Sequence, residues 1–127
     1  MNKIIISLGG SIVSTNPDQP AIRQQYATYL VELAKEYVVA VIVGGGYRAR
    51  SAIELAKKNT HQLTNDELDV IGIAATQANA EMMKTLCAIS TPLIIDPQQS
   101  LPDQPKLIFG GGWKPGRSTD YDAVLLA

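Results

Sequence analysis

Residues 3–8, "KIIISL", place apolar β-branched side chains on both alternating faces, the pattern of a parallel strand covered on both sides. From Asp18 the period changes. Ile22, Tyr26, Leu30, Leu33 and Tyr37 recur every three or four residues, which predicts a helix with Asp18 as its N-cap and that stripe turned inward. "YVVAVIV" (37–43) reads as a second buried strand, and 48–59 as a second helix with Ile53 and Ala56 inward and Lys57 and Lys58 outward. Thr64 to Glu67 spells T-x-x-E, the capping-box signature, and introduces a long helix over 65–87 with Leu68, Ile71, Ala75, Met82 and Leu86 on a common side. "TPLIID" (91–96) predicts a third strand, "PQQSLPDQP" (97–105) a proline-broken surface loop, and "KLIF" (106–109) a fourth strand; a last helix begins near Asp120. Strands alternating with helices predict an α/β chain, a three-layer αβα arrangement around a mainly parallel sheet.

Composition narrows the possible chemistry. At 127 residues and 46% hydrophobic, the chain is the size of one domain and has the material for a real core. Eleven Lys and Arg against twelve Asp and Glu, spread without blocks, provide no basic stripe for a phosphate backbone, so nucleic acid is not an expected partner. One cysteine, Cys87, and one histidine, His61, exclude an internal disulfide and a zinc site of soft or imidazole ligands, and fit a reducing, cytoplasmic setting. The apolar run after Lys3 is interrupted by Gly9 and Gly10 and is far shorter than the ~20 residues of a membrane span, so no membrane partner is expected.

The strands share an ending. "IIISLGGS" (4–11), "VVAVIVGGGYRAR" (38–50) and "KLIFGGGWKPGRST" (106–119) each deliver a glycine-rich turn, at unequal spacings that argue against an internal repeat. In parallel sheets ligands collect at the carboxyl ends of the strands, where all three turns fall. Glycine at the start of a helix lets backbone N–H groups approach an anion; it also simply lets a chain leave a strand through a left-handed turn. "GGGYRA" (44–49) satisfies G-x-G-x-x-A. The dinucleotide reading of that fingerprint wants it on the first strand and an acid after the second, and it leaves Lys114, Arg117, Ser118 and Thr119 without a purpose. Phosphate or a nucleotide is the better expectation.

Four segments in order, "ISLGGSIV" (6–13), "VAVIVGGGYRAR" (39–50), "DVIGIAATQANAEMM" (69–83) and "GGGWKPGRSTDYDAVLLA" (110–127), resemble the signatures of uridylate kinases, in the archaeal-type branch of the amino-acid kinase superfamily. The resemblance covers essentially the whole chain. It implies transfer of the γ-phosphoryl group of ATP to UMP, giving UDP and ADP in pyrimidine nucleotide biosynthesis, with Mg2+ accompanying ATP. By the same resemblance Gly10, Ser11, Gly46 and Arg50 would contact the ATP phosphates. Gly45, Asp69 and the segment Trp113, Lys114, Pro115, Gly116, Arg117, Ser118 and Thr119 would hold UMP. No residue is assigned to the metal. The family also implies homo-oligomers built from dimers, up to a hexamer.

Individual residues bear on this. Arg50 lies a turn into the helix that follows three glycines, where a guanidinium can fork onto phosphate oxygens; its plain alternative is an exposed helix residue. Asp66 and Glu67 are accounted for by the capping box and the helix dipole, whereas Asp69 gains little from either and reads as an acceptor for ribose hydroxyls. Thr119 opens T-D-Y-D (119–122), itself a capping signature, and a helix start is also where a phosphate docks. Ser7 stands where many superfamily members place a lysine, and Trp113 where a threonine is usual. The superfamily fold continues into a second half, so this sequence is expected to be the N-terminal, acceptor-binding half of a longer enzyme, inactive alone. Other expectations compatible with the motifs are another small-acceptor kinase, such as isopentenyl phosphate kinase, or a non-catalytic nucleotide- or anion-binding protein.

Overall fold

The isoleucine and valine runs form the sheet. In the computed structural model, which describes residues 2–59, 62–89, 93 and 107–112, β1 (Lys3–Leu8), β2 (Val38–Val43) and β3 (Leu107–Gly110) lie in the order β1-β2-β3. Both pairings are parallel: Lys3 to Leu8 face Val38 to Val43 in step, and Val39 to Ile42 face Leu107 to Gly110. Every residue of β2 is buried, as a central strand with two apolar faces requires. Val39, Val41, Val43, Leu107 and Phe109 join Leu8 in the larger core, and Ala40, Ile42 and Ile108 pack with Ile5 in a second, smaller cluster.

Among the described residues four helices accompany the sheet: α1 (Gly10–Val13), α2 (Pro20–Leu33), α3 (Gly46–Asn59) and α4 (Asn65–Leu86). The helix from Asp18 exists, with its cap displaced and Leu30, Leu33 and Tyr37 of the expected stripe on the core. Pro20 occupies its first turn after Gln19, where the fixed proline φ suits a helix start. Asp18 instead pairs with Arg23 at 2.6 Å, and that guanidinium also donates to Val13 O at 3.1 Å. The buried face is Ala27, Leu30 and Ala34, while Ile22 and Tyr26 stay partly in solvent. Two alanines seven residues apart let the helix approach the core closely, and Leu30, with Leu33 and Tyr37 beside it, fills the rest of that face.

The capping box at α4 forms in full: Glu67 N donates to Thr64 Oγ1 at 3.1 Å and Thr64 N to Glu67 Oε1 at 3.0 Å. The buried face of this helix is Ala75, Thr76, Asn79, Ala80 and Met83, rotated from the expected stripe; Leu86 and Val70 are exposed. α3 begins at Gly46, two residues earlier than the sequence pattern suggests, and turns half-buried Ile53 and Ala56 away from exposed Lys57 and Lys58. Cys87, just past α4, is buried with its Sγ 3.6 Å from Ala27 O, and burial pushes its thiol up to about 11. The expected strand 91–96, the loop 97–105 and the last helix lie outside the described residues, except Leu93, which packs against the larger core.

The backbone N–H of Thr64, and then its hydroxyl, hold the Glu67 carboxyl below its ordinary value of 4.5, and Arg23 lowers Asp18 in the same direction. Both contributions to stability are present above the ordinary carboxylate pKa and fade as the pH falls through the lowered folded values. Thermal melts of the chain are therefore expected to shift downward below about pH 4.5, and to shift less in Glu67→Gln. An identical pH profile for the variant would remove Glu67 from the account.

Candidate functional site

All three glycine turns sit where the strands end, and two of them touch. Gly10 opens α1 with its Cα against the second turn: a Cβ there would stand 2.6 Å from Gly46 Cα and 2.7 Å from Gly45 C. A Cβ on Gly44 would stand 2.7 Å from Gly10 N, and Gly46 adopts a left-handed φ of +57°. Gly44 N donates to Leu8 O at 2.9 Å, continuing the sheet ladder into the turns. Glycine at 10, 44 and 46 is thus required by backbone-to-backbone packing before any ligand is considered. Gly9 differs. Its missing side chain faces open space, with only Ser11 Oγ at 3.7 Å.

The start of α3 is partly occupied. Ser14, immediately after α1, accepts Tyr47 N at its carbonyl (2.8 Å) and Arg48 N at its hydroxyl (3.0 Å). Two of the first-turn N–H groups that the sequence offers to an anion are therefore spent on Ser14, which caps α3 from another segment. In α1 the Ile12 amide is spent as well, on Gly9 O at 3.1 Å.

α4 ties the second and third turns together. Asn79, fully buried, donates through Nδ2 to Gly44 O and to Gly45 O, each at 2.9 Å, and accepts Arg48 Nε at 2.8 Å. Thr76, 8% exposed, accepts Gly112 N at 2.6 Å and donates to Ile73 O at 2.6 Å. Gln77 Nε2 donates to Gly112 O at 3.3 Å, and a Cβ on Gly111 would stand 2.7 Å from Gln77 N.

Of the residues singled out in the sequence, Gly10, Gly45 and Gly46 come together directly. Ser11 is exposed on α1 beside Gly9, and Arg50 is exposed on α3 one turn past Gly46. Asp69 is half-buried on α4, seven residues and so about 10 Å before Thr76 on the same face, the side that holds the third turn. Trp113, Lys114, Pro115, Gly116, Arg117, Ser118 and Thr119 lie outside the described residues; they follow directly on Gly112, which Thr76 anchors. Sequence reasoning missed Ser14, Arg48, Thr76, Gln77 and Asn79. For the last three a signal existed: polar side chains within the apolar stretch of α4. Among the described residues no three His, Cys, Asp or Glu side chains come together as a metal would need.

The family model for the amino acid kinase family matches residues 2–126. The chain belongs to the amino acid kinase family. A uridylate kinase from Thermoplasma acidophilum is 36% identical over 126 residues, an alignment spanning 97% of this chain and 54% of that protein. The crystal structure of the uridylate kinase from Archaeoglobus fulgidus superposes with a TM-score of 0.84 at 31% identity, covering all of this chain and 57% of the other. Aspartate kinase from Synechocystis, at 18% identity and a TM-score of 0.71, covers 98% of this chain and 26% of its own, and shares the fold alone. The chain therefore has the mainly parallel αβα fold of amino acid kinases, and spans about half the length of the uridylate kinases it matches. The ordered motifs read from the sequence led to this family correctly.

Proposed function

We propose that the chain is the N-terminal, acceptor-binding part of a nucleoside monophosphate kinase that transfers the γ-phosphoryl group of ATP to UMP. The observation that carries this reading is the convergence of the glycine turns: two meet backbone to backbone, and α4 fastens the third beside them. Similarity to proteins named uridylate kinase selects UMP as acceptor. A UMP phosphate oxygen bonds to the γ-phosphorus as its bond to the β–γ bridging oxygen breaks, and ADP leaves with that electron pair. Such chemistry asks the protein for in-line placement and charge stabilisation.

In this proposal Gly10, Ser11, Gly46 and Arg50 meet the ATP phosphates; Gly45, Asp69 and 113–119 hold UMP. Mg2+ enters with the ATP phosphates, since magnesium commonly keeps water and phosphate ligands. The base of ATP falls to residues matching the part of the relatives that this chain does not span. The 127 residues alone are accordingly expected not to turn over UMP at a useful rate. A cytoplasmic setting and a dimer-based homo-oligomer belong to the same proposal, and for the latter Val70 and Leu86 offer exposed apolar contacts on α4.

An acceptor panel run on the chain extended by whatever coding sequence follows Ala127 tests the activity; turnover of another small acceptor with none of UMP would overturn the assignment. Within the site, Asp69→Asn is expected to weaken UMP binding by roughly 1–3 kcal/mol while leaving ATP binding nearly unchanged, the scale of a charge-assisted hydrogen bond. Calorimetric titration with each nucleotide separates this from a structural acid, whose loss weakens both alike.

A further inference from the structure

We propose that Thr76 and Asn79 are positioning residues: from one turn of α4 they set the gap between the second and third glycine turns. The inference rests on the reading that these turns hold nucleotide phosphates. Its warrant is how two buried polar groups are used. A buried hydroxyl or amide carries a desolvation penalty that only a bonded partner offsets. Here the partners are the backbone of the turns: Asn79 takes the carbonyls of Gly44 and Gly45, and Thr76 takes the amide of Gly112. Glycine turns have no side chains with which to hold themselves, and the strand pairing that sets β2 beside β3 ends at Ile42 and Gly110, two residues short of Gly44 and Gly112.

Positions three apart on a helix lie about 5–6 Å from each other, so the pitch of α4 becomes the spacing of the two turns. Arg48 Nε on Asn79 Oδ1 orients the amide so that its donors, not its oxygen, face the two carbonyls. Thr76 is oriented likewise, because donating to Ile73 O leaves its lone pair for Gly112 N. The clamp thus bears on Gly45 from one side and on Gly112 from the other.

Thr76→Val keeps the side-chain shape and removes the hydroxyl, whereas Thr76→Ser keeps the hydroxyl. In the 127-residue chain we expect the Gly112 amide of Thr76→Val to exchange with solvent at least tenfold faster, and UMP affinity, followed by NMR titration with UMP, to fall about tenfold. Thr76→Ser should match the parent in both. Asn79→Asp, which still accepts from Arg48 but turns its second oxygen on the two carbonyls, should also lose UMP affinity; should it fail to fold, the threonine pair decides alone. If Thr76→Val melts lower yet binds UMP as the parent does, the residue is structural only and the inference is overturned while the nucleotide reading stands. If the parent chain shifts no resonance at millimolar UMP, the nucleotide reading itself fails, and the inference with it.

Discussion

Gly46→Ala is expected to destabilise the fold by roughly 2–5 kcal/mol. Two effects add at this position. The residue holds φ at +57°, where a side chain costs about 1–2 kcal/mol, and its Cβ would stand 2.6 Å from both Gly10 C and Ser14 O. Those are backbone atoms. They cannot rotate aside as the end of a flexible side chain would, so relief requires the first glycine turn or the α1 exit to move, a further cost of about 1–3 kcal/mol. Gly9→Ala is the matched control, since Gly9 has an ordinary extended conformation and open space where the methyl would go. Urea unfolding of both variants measures the difference: Gly9→Ala should fall within about 0.5 kcal/mol of the parent. Equal stability of the two would mean that the first and second turns are not in contact.

Asn79→Leu should be comparable in size, at roughly 3–5 kcal/mol, although leucine is apolar, has the same branching of heavy atoms and is welcome in most cores. The reason is what it strands. Two carbonyls, Gly44 O and Gly45 O, lose their side-chain donor, and Arg48 Nε loses its acceptor. Arg48→Met breaks only the third of these bonds, and the arginine is exposed, so a loss of about 1 kcal/mol is expected there. The contrast between the two variants in the same denaturation experiment isolates the carbonyls. An Asn79→Leu protein no less stable than Arg48→Met would indicate that water reaches the turn.

The sequence was most legible where one physical rule acted without competition. β2 is apolar on both faces because it is central, and the Thr64–Glu67 box announces α4 by chemistry local to four residues. Helix faces were less legible. On α2 the large residues Ile22 and Tyr26 outweigh alanines in any hydrophobic count, yet close packing prefers Ala27 and Ala34. On α4 the inward polar residues break the apolar stripe that periodicity seeks, and they do so because their partners are backbone atoms over thirty residues away in the chain. The glycines were found and their chemistry only half understood. The pattern suggested space for an anion; the structure shows that three of them first make space for one another. Nothing local marks Ser14 as the cap of a helix that begins thirty-two residues later, since that role exists only once the turns have met.

The protein's only cysteine also lies in the seam between α2 and α4, covered and held far from ionisation. Thiolate is the reactive form, so at mild alkaline pH an alkylating reagent finds nothing to attack until those helices part. Each modification then records one excursion, and with a single thiol in these 127 residues there is no second thiol to blur the count. Cys87 is thereby a built-in stopwatch for the breathing of the helical layer, readable by mass spectrometry on the unaltered chain, with and without a nucleotide at the far ends of the strands.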